Sequence, residues 1–333
     1  MIYLEEDNII IKFPELHADA GISIGFQRTL RLPDDGNTHS LPPGLGSFPL
    51  RHIHDYDLGN NDALKLRGGV VMPMYQADAL WINFNPITQS DGNKAYPMAV
   101  KVGTGKICAV SGQTWSGKLN QDPQDYLVTP SQPWLDGYNT GDGRVRQFVA
   151  APLGEGITAE EQVTGLAEFG GIQIQVFPMK LERFQSLPEE EAMRNDVIIN
   201  YYSTLEIGLA AGGEMHQEIY EDEYLLSSWD QKQSERCFIT IANSQQWHNI
   251  TGEHPPISPM NAEDYTKAGL PWFHYYDEDK KDLPGSATLG KLDSFQKLKA
   301  KKGDTSWQSE KIDEQKLSSS IGKRIIKVGE WEA

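Results

Sequence analysis

The stretch GGIQIQVFP, residues 170–178, decides how the chain is read. Ile172, Ile174 and Val176 alternate with Gln173 and Gln175. Successive strand side chains point to opposite faces, so the apolar groups share one face and the amides the other. That pattern predicts a strand in a sheet with one face on a core and one toward water. Similar short runs lie on both sides of it. NIIIKF (8–13), ISIGFQRTLRL (22–32), GVVMPMY (69–75), ALWINF (79–84) and AYPMAVKV (95–102) come first. KICAVSG (106–112), VRQFVAAPL (145–153), EMHQEIY (214–220) and CFITIA (237–242) follow, separated by Gly, Pro, Asn and Asp. Pro73, Pro97 and Pro178 interrupt runs and belong at strand ends, edges or bulges. Successive strands without long helical crossovers predict a mainly β fold, an antiparallel β-sandwich or jelly-roll-like body.

Helical signals are short. Thr158 to Glu161 is a capping box whose helix should stop by Gly165. Ser186 heads a second candidate over 186–196. Ser244 is read as the cap of QQWHNI, ending at Gly252, and Asn261 as the cap of AEDYTKA. GLAAGGEMHQEIY (208–220) reads as a glycine-rich bend. After Pro284 the composition turns to Lys, Asp, Ser and Gln. The chain therefore divides into a strand-rich body, 1–284, and a polar extension, 285–333. The extension is a solvated tail or loosely docked helix, with RIIKV (324–328) as a last strand.

The 333 residues carry 47 acids against 30 Lys and Arg, a formal charge of -17. Such a surface repels phosphate backbones and anionic lipid, so nucleic acid and membranes are poor partners. No apolar run approaches the roughly 18 residues of a membrane span. The start, MIYLEEDNIIIKF, does not read as a secretory signal. The expected compartment is the cytoplasm, with Cys108 and Cys237 as reduced, buried thiols.

GQTWSGKL (112–119) matches the start of a phosphate-cradling loop, yet Leu119 replaces the magnesium-binding hydroxyl and Pro123 opposes a following helix. It reads as a turn. His52 and His54, in HIHDYD, could share one face of a strand and bind a metal, with His216, His248 or Glu218 as a distant third ligand. The G-x-S-x-G, H-E-x-x-H and C-x-x-C patterns are absent, and no cofactor is implied.

Trp115, Trp134, Trp247 and Trp272 each sit in a polar, turn-rich setting, where rings either stack on flat polar ligands or staple loops down. The predicted ligand site is a cleft holding Trp115, Trp134 and Trp272, with Asp136 and Asp277 to orient hydroxyl or amine groups. Paired acids from the same loops, among Asp122, Asp125, Asp136, Asp142, Asp277 and Glu278, suit a hydrolase. The resulting expectation is a binding protein for a polar small molecule or glycan. A hydrolase and a structural or assembly protein are the alternatives.

Taken together, RTLRLPDDG, LPPGLGSFPL, DPQDYLVTPSQPWLDG, VRQFVAAPLGEG, GGIQIQVFP, TGEHPPISP and GLPWFHYYDED carry a resemblance. The chain resembles a family of uncharacterised bacterial and fungal proteins with similar segments in the same order, from about Arg28 to Asp279. The resemblance implies one coherent body over that span and assigns no activity or catalytic residue.

Overall fold

The structure is a computed structural model that describes residues 1–42, 44–58, 62–87, 94–188, 207–253, 272–274, 280–303 and 325–327. Its strands, in chain order, begin with β1 (Ile2–Glu5), β2 (Asn8–Lys12), β3 (Gly21–Thr29), β4 (Thr38–His39), β5 (Arg51–His52) and β6 (Val70–Pro73). Then come β7 (Ala79–Pro86), β8 (Met98–Thr104), β9 (Ile107–Cys108), β10 (Leu127–Thr129), β11 (Trp134–Leu135) and β12 (Gly137–Asn139). The last are β13 (Arg144–Pro152), β14 (Ile172–Pro178), β15 (Ile207–His216), β16 (Glu235–Ala242), β17 (Trp272–His274) and β18 (Ile325–Lys327).

Among the described residues these strands form two large open sheets and one small one. The nine-stranded sheet runs β1-β2-β3-β7-β13-β15-β4, with β11 paired to β7 and β12 to β13. The seven-stranded sheet runs β10-β8-β14-β16-β6-β5, with β9 paired to β8. Most pairs are antiparallel, but β4 joins β15 and β6 joins β16 in parallel, so both sheets are mixed. One core cluster draws on both: Ile22, Ile24, Leu80 and Ile82 from the first, Val100, Val102, Ile174 and Ile239 from the second. Pro73 and Pro178 end strands and Pro97 precedes one, where a missing N–H breaks no ladder.

The alternation in β14 is present, but its amide face is not wet. Gln173 is 4% exposed and Gln175 6%. The segment after β8 folds back over this face and the amides serve its carbonyls. Gln173 Nε2 donates to Gly105 O (2.5 Å) and Gln175 Nε2 to Gly117 O (3.4 Å), with a further bond from Gln175 Nε2 to Ser234 Oγ (3.0 Å) ahead of β16. Alternation marks polarity; what later covers a face is decided by distant sequence.

Other local readings divide in the same way. The helix Ala159–Thr164 has Thr158 as its cap, the full capping box with Glu161, and a left-handed Gly165 at its end. The helix Ser244–Thr251 ends at Gly252 as expected, but its cap is Asn243, whose Oδ1 accepts from Gln246 N (2.7 Å). Ser186 closes the helix Leu181–Gln185 instead of opening one. The candidate helix beyond it falls largely on 189–196, and the one at 261–269 wholly, outside the described residues. The expected bend GLAAGG is part of β15. A Cβ on Gly213 would lie 2.3 Å from Pro33 O, so its glycine answers close backbone approach.

The composition change at Pro284 does not coincide with a change in packing. Leu289, Leu292 and Phe295 are buried, and the helix Phe295–Lys301 is capped by Ser294. Phe295 joins Ala79, Val149, Ala151, Ile157 and Ala210 in a second apolar cluster. Ile325–Lys327 pairs in parallel with Trp272–His274, so the short terminal strand exists.

Candidate functional site

The site is built where β7 changes partner. β7 pairs with β13 through Ala79 and Leu80, and with β11 through Ile82 and Asn83. Trp81 stands at the change-over. Leu80, Ile82 and Phe84 point into the core, which turns Trp81 and Asn83 to the other face. On that face Gln27 lies opposite Trp81, and Gly25 opposite Asn83, across β3. Trp134 lies opposite Asn83 across β11. The Trp81 and Trp134 rings are 6.2 Å apart at 57°, and both residues are half-buried.

Asp136 ties β11 to β13. Its carbonyl accepts from Phe148 N (3.0 Å), its N–H donates to Gln217 Oε1 (2.9 Å), and its carboxyl hydrogen-bonds the Trp134 side chain. The residue is 2% exposed. Burial pushes its carboxyl up to about 7, against the opposing pull of the Trp134 hydrogen bond, because a buried carboxylate is poorly solvated.

Polar atoms without partners gather here. Among the described residues, Trp81 Nε1, Gln27 Oε1, Asn83 Oδ1 and Asp136 Oδ2 are buried with no hydrogen-bond partner. Nearly all buried polar atoms in proteins are paired, so several exceptions on one patch call for a cause. The patch offers one indole donor, two amide acceptors and a carboxyl that donates when protonated and accepts when ionised, beside two indole rings. The Gln27 amide is held, its Nε2 donating to Ser47 Oγ (2.8 Å), and the Asn83 amide lies over Gly25, where a Cβ would fall 2.3 Å from its Oδ1.

Of the residues singled out from sequence, Trp134 and Asp136 meet, and Trp115 does not join them in this patch. Trp115 covers the seven-stranded sheet. A Cβ on Gly103 would lie 2.6 Å from its ring, and the Lys101 ammonium is 5.2 Å from its centroid. Its backbone N–H donates to Lys106 O (2.7 Å), in an irregular segment with a bridge at Thr114 and a bend at Gly117 and Lys118, while its Nε1, among the described residues, has no partner. Trp272 has its backbone in β17, while its side chain and Asp277 lie outside the described residues. Trp247 is fully buried with Ile53, Leu64 and Val71, a packing role.

His52 and His54 have rings 5.4 Å apart and are exposed, but His52 ends β5 and His54 sits in the following 3-10 turn. Among the described residues, no group of three or more His, Cys, Asp or Glu could hold a metal ion. Sequence reading passed over Trp81, Gln27 and Asn83. The available signal was ALWINF, whose period of two puts a tryptophan and an asparagine on the face away from the core. Comparison with protein-family models, curated proteins and solved structures gives no match to this chain.

Proposed function

We propose that the protein binds a polar, hydroxyl-rich small molecule or glycan at the Trp81–Trp134–Asp136 patch. The observation that carries this reading is the set of four partnerless polar atoms beside two half-buried indoles. Two amide acceptors, one indole donor and a carboxyl that can do either suit a ligand that brings O–H groups, which both donate and accept, and indole faces suit its flat C–H surfaces. The hydrolase reading has less behind it: Asp125 is engaged by Lys101 on the seven-stranded sheet, and Asp136 lies on the other. The shared core of the two sheets supports a β-sandwich as the finer description of the fold. Two buried free cysteines fit a cytoplasmic protein, and the family resemblance fits one body of this kind.

Glycan-array screening followed by calorimetry tests the reading. Trp134→Ala should abolish binding of any glycan or polyol hit. A hit whose affinity ignores Trp134→Ala and Asp136→Asn would remove the site from consideration.

A further inference from the structure

A separate cavity of about 460 Å³ lies at one end of the seven-stranded sheet. Thr240, Ile241 and Ala242 of β16 line it, and the helices Asp62–Arg67 and Ser244–Thr251 and the loop 167–171 contribute further walls. The volume is that of a small-molecule site.

One wall is a fixed aromatic ring. Glu160, 3% exposed, accepts the backbone N–H groups of Lys106 (3.2 Å), Phe169 (3.2 Å) and Gly170 (3.0 Å). Arg67 Nη1 donates to Phe169 O (2.9 Å), and its guanidinium lies 5.4 Å from the Phe169 centroid. The Lys106 ammonium lies 4.2 Å from the same centroid, so the Phe169 residue is held by its backbone and its ring already carries two cations. Ile241 and Ile250 add apolar lining.

The polar lining is half charged, from Asp57, Arg67 and Glu168, and half amide and hydroxyl, from Thr240, Gln246 and Asn249. Gln246 and Asn249 are three residues apart in one helix, so they share a face, and both line the cavity. Thr240 Oγ1 is buried and, among the described residues, has no hydrogen-bond partner. An unpaired buried hydroxyl is unfavourable in a strand where valine would fit, which points to a role beyond packing. Two of these charges are engaged within the protein, Arg67 by Phe169 O and Glu168 by Lys106 (2.7 Å), and Asp57 is exposed.

Gln246 spends its Oε1 on Asn243 N (3.1 Å) and offers its Nε2 donor, while Asn249 presents a donor and an acceptor together, which matches a flat ring with a donor and an acceptor on one edge. Side-chain amides read adenine by this pairing in nucleic acids. We propose that this cavity binds a flat, uncharged heteroaromatic molecule of nucleobase size, packed against Phe169 and Ile241 and hydrogen-bonded by Thr240, Gln246 and Asn249. This site and the Trp81 patch are on different sheets, so each proposal can fail alone.

Calorimetric titration of adenine and of cytosine into the full chain tests it. The expected result is saturable one-to-one binding of at least one base, weakened about ten-fold by Thr240→Val and by Asn249→Ala. Thr240→Val should leave the melting temperature unchanged or raised, because an unpaired hydroxyl is replaced by a methyl group. Asn249 is exposed, so its variant keeps the fold and tests the site even where Thr240→Val loses stability. Absence of saturable heat with both bases overturns the proposal, as does unchanged affinity in Asn249→Ala.

Discussion

Asp125 and Asp136 are both buried aspartates near a tryptophan, one on each large sheet, and the protein treats them in opposite ways. Asp125 Oδ2 accepts from Lys101 Nζ (2.5 Å) and Oδ1 from Asn120 N (2.8 Å). Lys101 also donates to Ser116 Oγ (3.1 Å) and Lys118 O (2.7 Å), so the pair latches the Trp115 segment over the sheet. Burial raises the Asp125 carboxyl, but Lys101 opposes the shift. Asp136 has the Trp134 hydrogen bond and, among the described residues, no cation to oppose the effect of burial. A buried acid with a dedicated cation is explained by folding; one without it needs another explanation, and the proposed ligand would supply it.

The largest expected effect is on the latch. Lys101→Met leaves Asp125 buried and uncompensated, which should cost about 3–5 kcal/mol in urea unfolding. Replacing both partners with apolar residues should recover most of that loss. A single-variant loss below about 1 kcal/mol, typical of surface pairs, would mean that the two aspartates do not differ in this way.

Next comes the pH dependence. Asp136 titrates at about 7 in the fold, against an ordinary 3.8. The folded state then holds the proton more tightly than the unfolded one, so this group's contribution to stability falls as pH rises from about 4 to about 7. One such group gives a slope of up to about 1.4 kcal/mol per pH unit. Asp136→Asn should remove this share of the slope and be more stable than wild type at pH 8. Burial also raises Asp78 to about 7 despite Arg28, and its share should survive in the variant. Unfolding curves at several pH values, unchanged by Asp136→Asn, would contradict the assignment.

Two glycines give the smallest and most selective contrast. Gly103→Ala drives a methyl into the Trp115 ring, and overpacking there should cost about 1–3 kcal/mol. Gly25→Ala meets the movable ends of Asn83 and Asn8, so its stability cost should stay below about 1 kcal/mol. Its effect should fall on ligand affinity instead, through rotation of the Asn83 amide. Chemical denaturation of both variants, with a binding assay on the second, separates packing from recognition.

The sequence made local features legible and left non-local ones hidden. Thr158, Glu161 and Gly165 specify a helix within eight residues, and the alternation of GGIQIQVFP specifies a strand. The burial of Gln173 and Gln175 depends on a segment some 60 residues away, which local polarity does not encode. The pairing of Trp134 with Asn83 across β11 and β7 is likewise a matter of register. Asp136 was readable as a polar loop residue beside a tryptophan, whereas Trp81 became meaningful only once β7 was seen to change partner beside it. The buried Lys101 lay inside an apolar run, and nothing nearby in sequence identified Asp125 as its partner.

The central claim is that the Trp81–Trp134–Asp136 patch is kept for a ligand and not for stability. Trp81→Phe tests it most directly, since it deletes the partnerless indole N–H while retaining an aromatic ring. The measurement is calorimetric affinity for a glycan or polyol hit, beside urea stability of the same variant. The account predicts an affinity loss of about ten-fold or more with stability changed by less than about 1 kcal/mol. Unchanged affinity together with a stability loss of several kcal/mol would show that Trp81 is a packing residue and would contradict the account.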